Sequence, residues 1–150
     1  FEVVNTSTFK AALEVFARTC DLLVREAEIH TALIIFPTGF TSFQNYLQLV
    51  EYCEVLIEKE GYSGVFQVAS FHPEYVFHGS EENDPANYTN RSPYPLLHIL
   101  REEMLEKVLE KYPHPEKIPE NNIALTRKLG LEHMKSLFDS FFNGGKGSID

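Results

Sequence analysis

The chain has 150 residues, 43% of them apolar, and its 22 acidic against 13 basic residues leave a net charge of −9. That length is one domain with a sizeable core, and that charge disfavours a nucleic-acid binder, which needs a basic face to neutralise phosphates. The longest purely apolar run, Ala32 to Phe36, is far short of a membrane span.

Taken in chain order, Phe1 to Asn5 is short, β-branched and apolar and reads as a strand. Thr6, Ser7 and Thr8 are N-cap candidates, and Phe9, Leu13, Phe16, Cys20, Leu23 and Ala27 recur at helical spacing, which predicts a helix over 8–28. Ala32 to Phe36, stopped by Pro37, is a strand without alternation, the pattern of burial on both faces in a parallel sheet. Gly39 sits in the turn after it. Thr41 or Ser42 caps a second helix whose stripe is Phe43, Tyr46, Leu47, Val50, Cys53, Leu56 and Ile57, with Gly61 as its stop. Val65 to Phe71 is a third strand, with Pro73 just beyond it.

The remainder reads as helical. Ser92-Pro93 is a helix start, Ser as N-cap and Pro at the first helical position, and Leu97, Leu100, Met104 and Val108 form that helix's buried stripe. Pro113 and Pro115 break it. A further helix runs from about Glu116 to Leu129, closed by Gly130, and a last one carries Leu131, Met134, Phe138 and Phe141. The Gly-rich segment over 144–150 reads as a disordered tail. The alternation of strand and helix predicts an α/β fold: a small, mostly parallel sheet of three or four strands with crossover helices, followed by a helical C-terminal part, as a single domain over 1–143.

Cys20 and Cys53 fall on apolar helix faces without a C-x-x-C pattern, so they read as buried, reduced thiols of an intracellular protein, with a disulfide between them left open. No signal peptide is read. A start at Phe1, already strand-like and without Met, is read as the loss of something upstream, either an import segment or a piece of the domain. The compartment expected is the cytoplasm or an organelle matrix, plastid or mitochondrial.

The stretch Phe71 to Glu102 holds the candidate site. Ligands of open α/β sheets bind beyond the carboxyl ends of the strands, and His72 lies just past the third strand, with Pro37 to Phe40 past the second. The excursion from Glu74 to Asn90 is long, and loops of that length are often functional. Asn90, Arg91 and Ser92 precede the Pro93 helix start, whose free N–H groups and partial positive charge, with the Arg91 fork, form an anion site for phosphate or carboxylate. The competing role for Arg91 is pairing with Glu81, Glu82 or Asp84, with Ser92 as a cap only.

On the predicted helix His98 and Glu102, four apart, share a face, and Arg101, three from His98, lies near it. His72 or His98 beside a carboxylate is a candidate general base. His72, His98 and Glu102 together are also a minor candidate for a divalent-metal triad, although no H-x-H or H-E-x-x-H pattern supports it. Tyr75 and Tyr94, with Tyr88, are candidates to line a pocket and donate hydrogen bonds, or else to pack under the loop. No Gly-rich phosphate loop and no G-x-S-x-G elbow is present, so the cofactor is left open.

The run Gln67 to Tyr75 (QVASFHPEY), then Asn87 to Pro95 (NYTNRSPYP), then His98 and Arg101-Glu102, resembles the signature of a family of small uncharacterised proteins of bacteria and photosynthetic eukaryotes, known only as a domain of unknown function. The resemblance implies a place for a site and no chemistry. It also implies an upstream helical segment containing Cys-Pro-Phe, which has no counterpart in this chain.

Three functions follow as expectations. The first is a small enzyme acting on an anionic metabolite, with Arg91 and the Pro93 helix end binding the anion, His72 or His98 moving a proton and Tyr94 orienting. The second is a non-catalytic module for a small ligand or a protein, in which the same cluster rigidifies the loop. The third is the metal site. Neither nucleic acid nor membrane is expected as a partner, and the oligomeric state stays open.

Overall fold

The computed structural model describes residues 1–143, and the tail expected over 144–150 lies outside them. In chain order the elements are β1 (Glu2–Val3), α1 (Phe9–Arg25), β2 (Thr31–Ile35), α2 (Phe43–Lys59), β3 (Phe66–Phe71), a 3-10 turn (Pro85–Thr89), β4 (Leu96–Arg101), α3 (Glu102–Leu109), a second 3-10 turn (Pro115–Lys117), α4 (Ile118–Leu129) and α5 (Leu131–Asn143).

The four strands form one sheet in the order β1-β2-β4-β3. Only β1 and β2 pair in parallel, while β4 pairs antiparallel with both β2 and β3. The sheet is therefore not mostly parallel. β1, β2 and β3 do run the same way, as strands joined through helices should. The expectation fails because β4 inserts between β2 and β3, where it takes antiparallel bonds on both edges.

β4 occupies the residues expected to start a helix. Ser92 and Pro93 lie in a turn, and Leu96 to Arg101 is extended, with Leu97 and Ile99 fully buried on one face. Period 2 thus replaces the helical period that Leu97, Leu100, Met104 and Val108 mimic. The helix begins at Glu102 instead, with Glu102 and Glu103 in its first turn and no side-chain cap.

α1 and α2 pack on one face of the sheet. Thr8 caps α1 by accepting from the Ala11 N–H, and Ser42 does the same for α2 from the Asn45 N–H. α1 turns Ala12, Phe16, Cys20 and Leu23 inward, and α2 turns Tyr46, Leu49 and Cys53 inward, all fully buried against Ile34, Phe36, Phe66, Leu97 and Ile99. Each large side chain so buried stabilises the fold by roughly 1.5–3 kcal/mol. Both cysteines are free, and burial raises both thiols, Cys20 to about 12.

The other face of the sheet carries Leu33, Ile35, Ala69, Phe71, Leu96, His98 and Leu100, all half-buried. α4 packs on the 3-10 turn at Pro85–Thr89 and on α5. The bidentate pair Arg127–Asp84 ties α4 to that turn, at 3.1 and 2.6 Å. No helix among the described residues is long and apolar enough to cross a membrane.

Candidate functional site

β1 and β2 end side by side, and each is followed by a helix that starts at the same edge. The exit from β1 is Val4-Asn5-Thr6-Ser7-Thr8; the exit from β2 runs from Phe36 to Ser42. The two exits touch closely at Gly39. A Cβ built there would sit 1.8 Å from the Thr6 carbonyl oxygen and 2.7 Å from its carbon, so only glycine fits. Phe40 follows with φ 55°, a left-handed conformation that costs a non-glycine residue roughly 1–2 kcal/mol. Its ring is buried edge-on against Phe36 at 5.1 Å and Phe9 at 5.6 Å, which holds the backbone in that conformation.

Between the exits lies a cavity of about 160 Å³ lined by Ser7, Phe9, Thr38, Gly39, Phe40, Thr41, Ser42 and Asn45. It sits against the first turns of α1 and α2, each 17 residues long. A helix of that length concentrates partial positive charge and free N–H groups at its N-terminus. α3, α4 and α5 place acidic residues in their first turns, Glu102 with Glu103, Glu120 and Glu132. α1 and α2 place none there, so the positive ends that face the cavity lack a side-chain anion. The lining residues carry no titratable side chain.

His72 braces the wall of this cavity from behind. It is fully buried, with its ring against Phe43 at 5.2 Å and Tyr46 at 5.1 Å. Its Nδ1 accepts the Glu74 N–H at 3.0 Å, so Nε2 carries the proton and donates it to the Phe40 carbonyl at 3.0 Å. Burial lowers its pKa below 6.5 and outweighs the bond to Phe40 and the charge of Glu74. Tyr46 completes this corner: its hydroxyl accepts from the Phe71 N–H at 2.9 Å and donates to the Leu96 carbonyl at 2.6 Å, standing in for a ladder bond between β3 and β4.

The remaining residues singled out in the sequence hold the long loop and the sheet edges. Asn90 donates from Nδ2 to the Ser70 carbonyl, and the fully buried Asn87 accepts from the Phe77 N–H while donating to the carbonyls of Glu81 and Glu82. The Arg91 fork donates to the carbonyls of Tyr75 and Glu82 and lies over the Tyr88 ring at 4.5 Å. It pairs with none of the three carboxylates expected, because Glu82 receives it through the main chain and Asp84 is taken by Arg127. Ser92 donates to the Tyr94 carbonyl and caps no helix, because no helix N-terminus stands at Pro93 to support the anion site expected there. Tyr75 packs on Phe43 and Phe77, and Tyr94 is 47% exposed. Arg101 donates to the carbonyls of Leu23, Glu26 and Ile29, neutralising the C-terminal end of α1.

His98 stands apart from His72. It lies across from Ala69 and Leu33 on the open face of the sheet, whereas His72 packs on the α2 side. Its Nε2 is 2.5 Å from the Thr31 hydroxyl, which itself lies 2.7 Å from the Ile99 carbonyl. Burial lowers its pKa. Glu102 begins α3 and no longer shares a helical face with His98. Among the described residues no three His, Cys, Asp or Glu side chains come together as metal ligands.

The family described as "Protein of unknown function (DUF1415)" matches residues 1–136. The chain belongs to the DUF1415 family. No curated protein and no solved structure matches it. What the DUF1415 chain shows beyond its sequence is where its hydroxyl-rich runs meet. Thr6-Ser7-Thr8 and Thr38-Gly39-Phe40-Thr41-Ser42 read as caps and a turn, and their convergence required knowing that β1 and β2 are parallel neighbours. Thr31, the partner of His98, carries no signal in the sequence.

Proposed function

We propose that this protein binds a small phosphate- or carboxylate-bearing metabolite in the cavity between the N-termini of α1 and α2. The observation that carries the reading is the pair of positive helix ends, capped by neutral hydroxyls and without a first-turn carboxylate, facing one hydroxyl-lined hollow at the carboxyl edge of a parallel strand pair. Ser7, Thr38, Thr41 and Ser42 supply hydroxyls, and the first-turn amides supply donors. A lining without acid or base supports binding rather than proton transfer. The free, buried Cys20 and Cys53 support a reducing, intracellular setting.

The test is Ser42→Asp. Aspartate caps a helix as well as serine does, so the fold survives, but its carboxylate occupies the positive end and competes with a ligand. Inorganic phosphate and a simple carboxylate, added at millimolar levels, shift the amide resonances of residues 7–10 and 38–45 in the native protein and leave Ser42→Asp unmoved. Native resonances that ignore both anions overturn the reading.

The Thr31 hydroxyl donates to the Ile99 carbonyl, so it accepts from His98 Nε2–H and leaves Nδ1 as the ring's acceptor; this favours a second reading, with His98 Nδ1 as a general base on the open sheet face. It predicts that His98→Gln leaves anion binding intact and removes any turnover found with an unbiased metabolite screen.

A further inference from the structure

Both ring nitrogens of His72 are committed, and they are committed in one tautomer only. Nδ1 receives the Glu74 N–H and Nε2–H holds the Phe40 carbonyl, each at 3.0 Å, inside a site with no exposed ring surface. The two bonds connect segments far apart in sequence: the start of the long loop after β3, and the left-handed Phe40 that shapes the loop after β2. A proton on Nδ1 would point at the Glu74 N–H, donor against donor. The bond is then lost and an N–H is left buried without an acceptor, which the interior tolerates poorly.

We propose that His72 is an acid-released clamp: protonation of Nδ1 expels the imidazole from its site and frees the 36–42 segment from the loop that begins at His72. The titratable groups around the ring are few. Glu74, in its own loop, favours the cation. Tyr46 on α2 is itself buried and raised far above its ordinary range, so it stays neutral. The 36–42 segment contributes no titratable side chain, only the carbonyls toward which Nε2–H points. Burial of the ring outweighs Glu74, so the clamp is closed at pH 7 and loosens as the pH falls below 6.5. Once expelled, the ring titrates normally. The opening equilibrium therefore grows about fivefold over the first pH unit below that value and approaches tenfold per unit further down, until the closed form itself takes a proton. The inference does not depend on the cavity being occupied.

Hydrogen exchange read by NMR on the intact protein tests it. The Glu74 amide reports the clamp directly, and the Phe77 amide, bonded to the Asn87 side chain in the same loop, is the control. Between pH 6.5 and 5.5 the protection of Glu74 falls about fivefold while that of Phe77 holds. His72→Gln replaces the titrating ring with an amide and flattens the Glu74 profile. As an independent readout, imidazole nitrogen shifts of the native protein follow His72 from the Nε2–H tautomer to the cation together with the amide shifts of Thr41 and Glu74. Ring protonation without movement of those amides, or an equal loss of protection at Glu74 and Phe77, overturns the clamp.

Discussion

Gly39→Ala is the sharpest probe of how the two loops at the candidate site are built. The added methyl would lie 1.8 Å from the Thr6 oxygen, 2.7 Å from the Thr6 carbon and 3.1 Å from the Ser7 Cα. All three are main-chain atoms, so no side chain can rotate out of the way. The φ of Gly39 is not in the left-handed region, so alanine carries no conformational penalty of its own and the effect is purely steric. Inserting one carbon into a packed site costs about 1–3 kcal/mol, and an immovable backbone places this case at the upper end, about 3 kcal/mol. For a domain of this size that lowers the melting temperature by roughly 6–12 °C. Gly64→Ala is the matched control. It has open space around the Cβ and φ 76°, so it costs about 1–2 kcal/mol from backbone strain alone. Calorimetry at pH 7 reads both. A Gly39→Ala protein melting no lower than Gly64→Ala would refute the close approach of the two loops, and with it the shape of the cavity.

Asn87→Ala removes three bonds from a side chain with no exposure and strands the Phe77 N–H, so urea denaturation is expected to show a loss of about 3 kcal/mol. Arg91→Lys loses the planar fork that reaches two carbonyls at once and costs about 1–2 kcal/mol, with the response to phosphate unchanged; weaker phosphate binding at an unchanged melting temperature would return Arg91 to the anion site. Stability falls with acid in two steps. His72 and His98 have pKa values lowered by folding, so the unfolded chain binds more protons below 6.5 and stability drops there by at most about 1.4 kcal/mol per pH unit for each ring. Asp84 and Glu103, also lowered, add a second loss only below 4.5. Denaturant midpoints that stay level from pH 7 to 5 would contradict the neutral, buried state of both imidazoles. Tyr46→Phe keeps the packing but leaves the Phe71 N–H and Leu96 carbonyl unpaired, about 2 kcal/mol by thermal melting, with peak loss centred on the β3–β4 end.

Much of the fold could be read from periodicity because its elements obey one rule at a time. α1 and α2 are helices with a single apolar stripe and a hydroxyl cap, and β2 is a short apolar run ended by Pro37; each emerges within a few residues of where the pattern places it. β4 is the exception. Leu96-Leu97-His98-Ile99-Leu100 is apolar at both the helical and the alternating spacing, and Ser92-Pro93 is as good a turn as a helix start. What decides it is the vacancy between β2 and β3, which only a strand with free edges on both sides fills. That is a tertiary fact, invisible to any local window. The same ambiguity reaches the site: Arg91 and Ser92 precede a strand and face no helix end, and His98 lies on that strand rather than on a helix.

The two candidate regions also differ in how they announce themselves, for one physical reason. The excursion from His72 to Pro95 contains little regular structure, so its N–H and C=O groups need partners from side chains. Asn87, Asn90, Arg91 and His72 supply them, and these are the residue types from which catalytic centres are also made. A dense polar motif is thus the expected mark of a long ordered loop, with or without chemistry. A cavity between helix ends has the opposite signature. Its donors are backbone amides, which every residue but proline owns, and its remaining needs are met by small hydroxyls and one glycine. Such a site leaves almost no trace in composition. The trace it does leave is an omission, the lack of Asp or Glu in the first turns of α1 and α2, in a chain with 22 acidic residues to place.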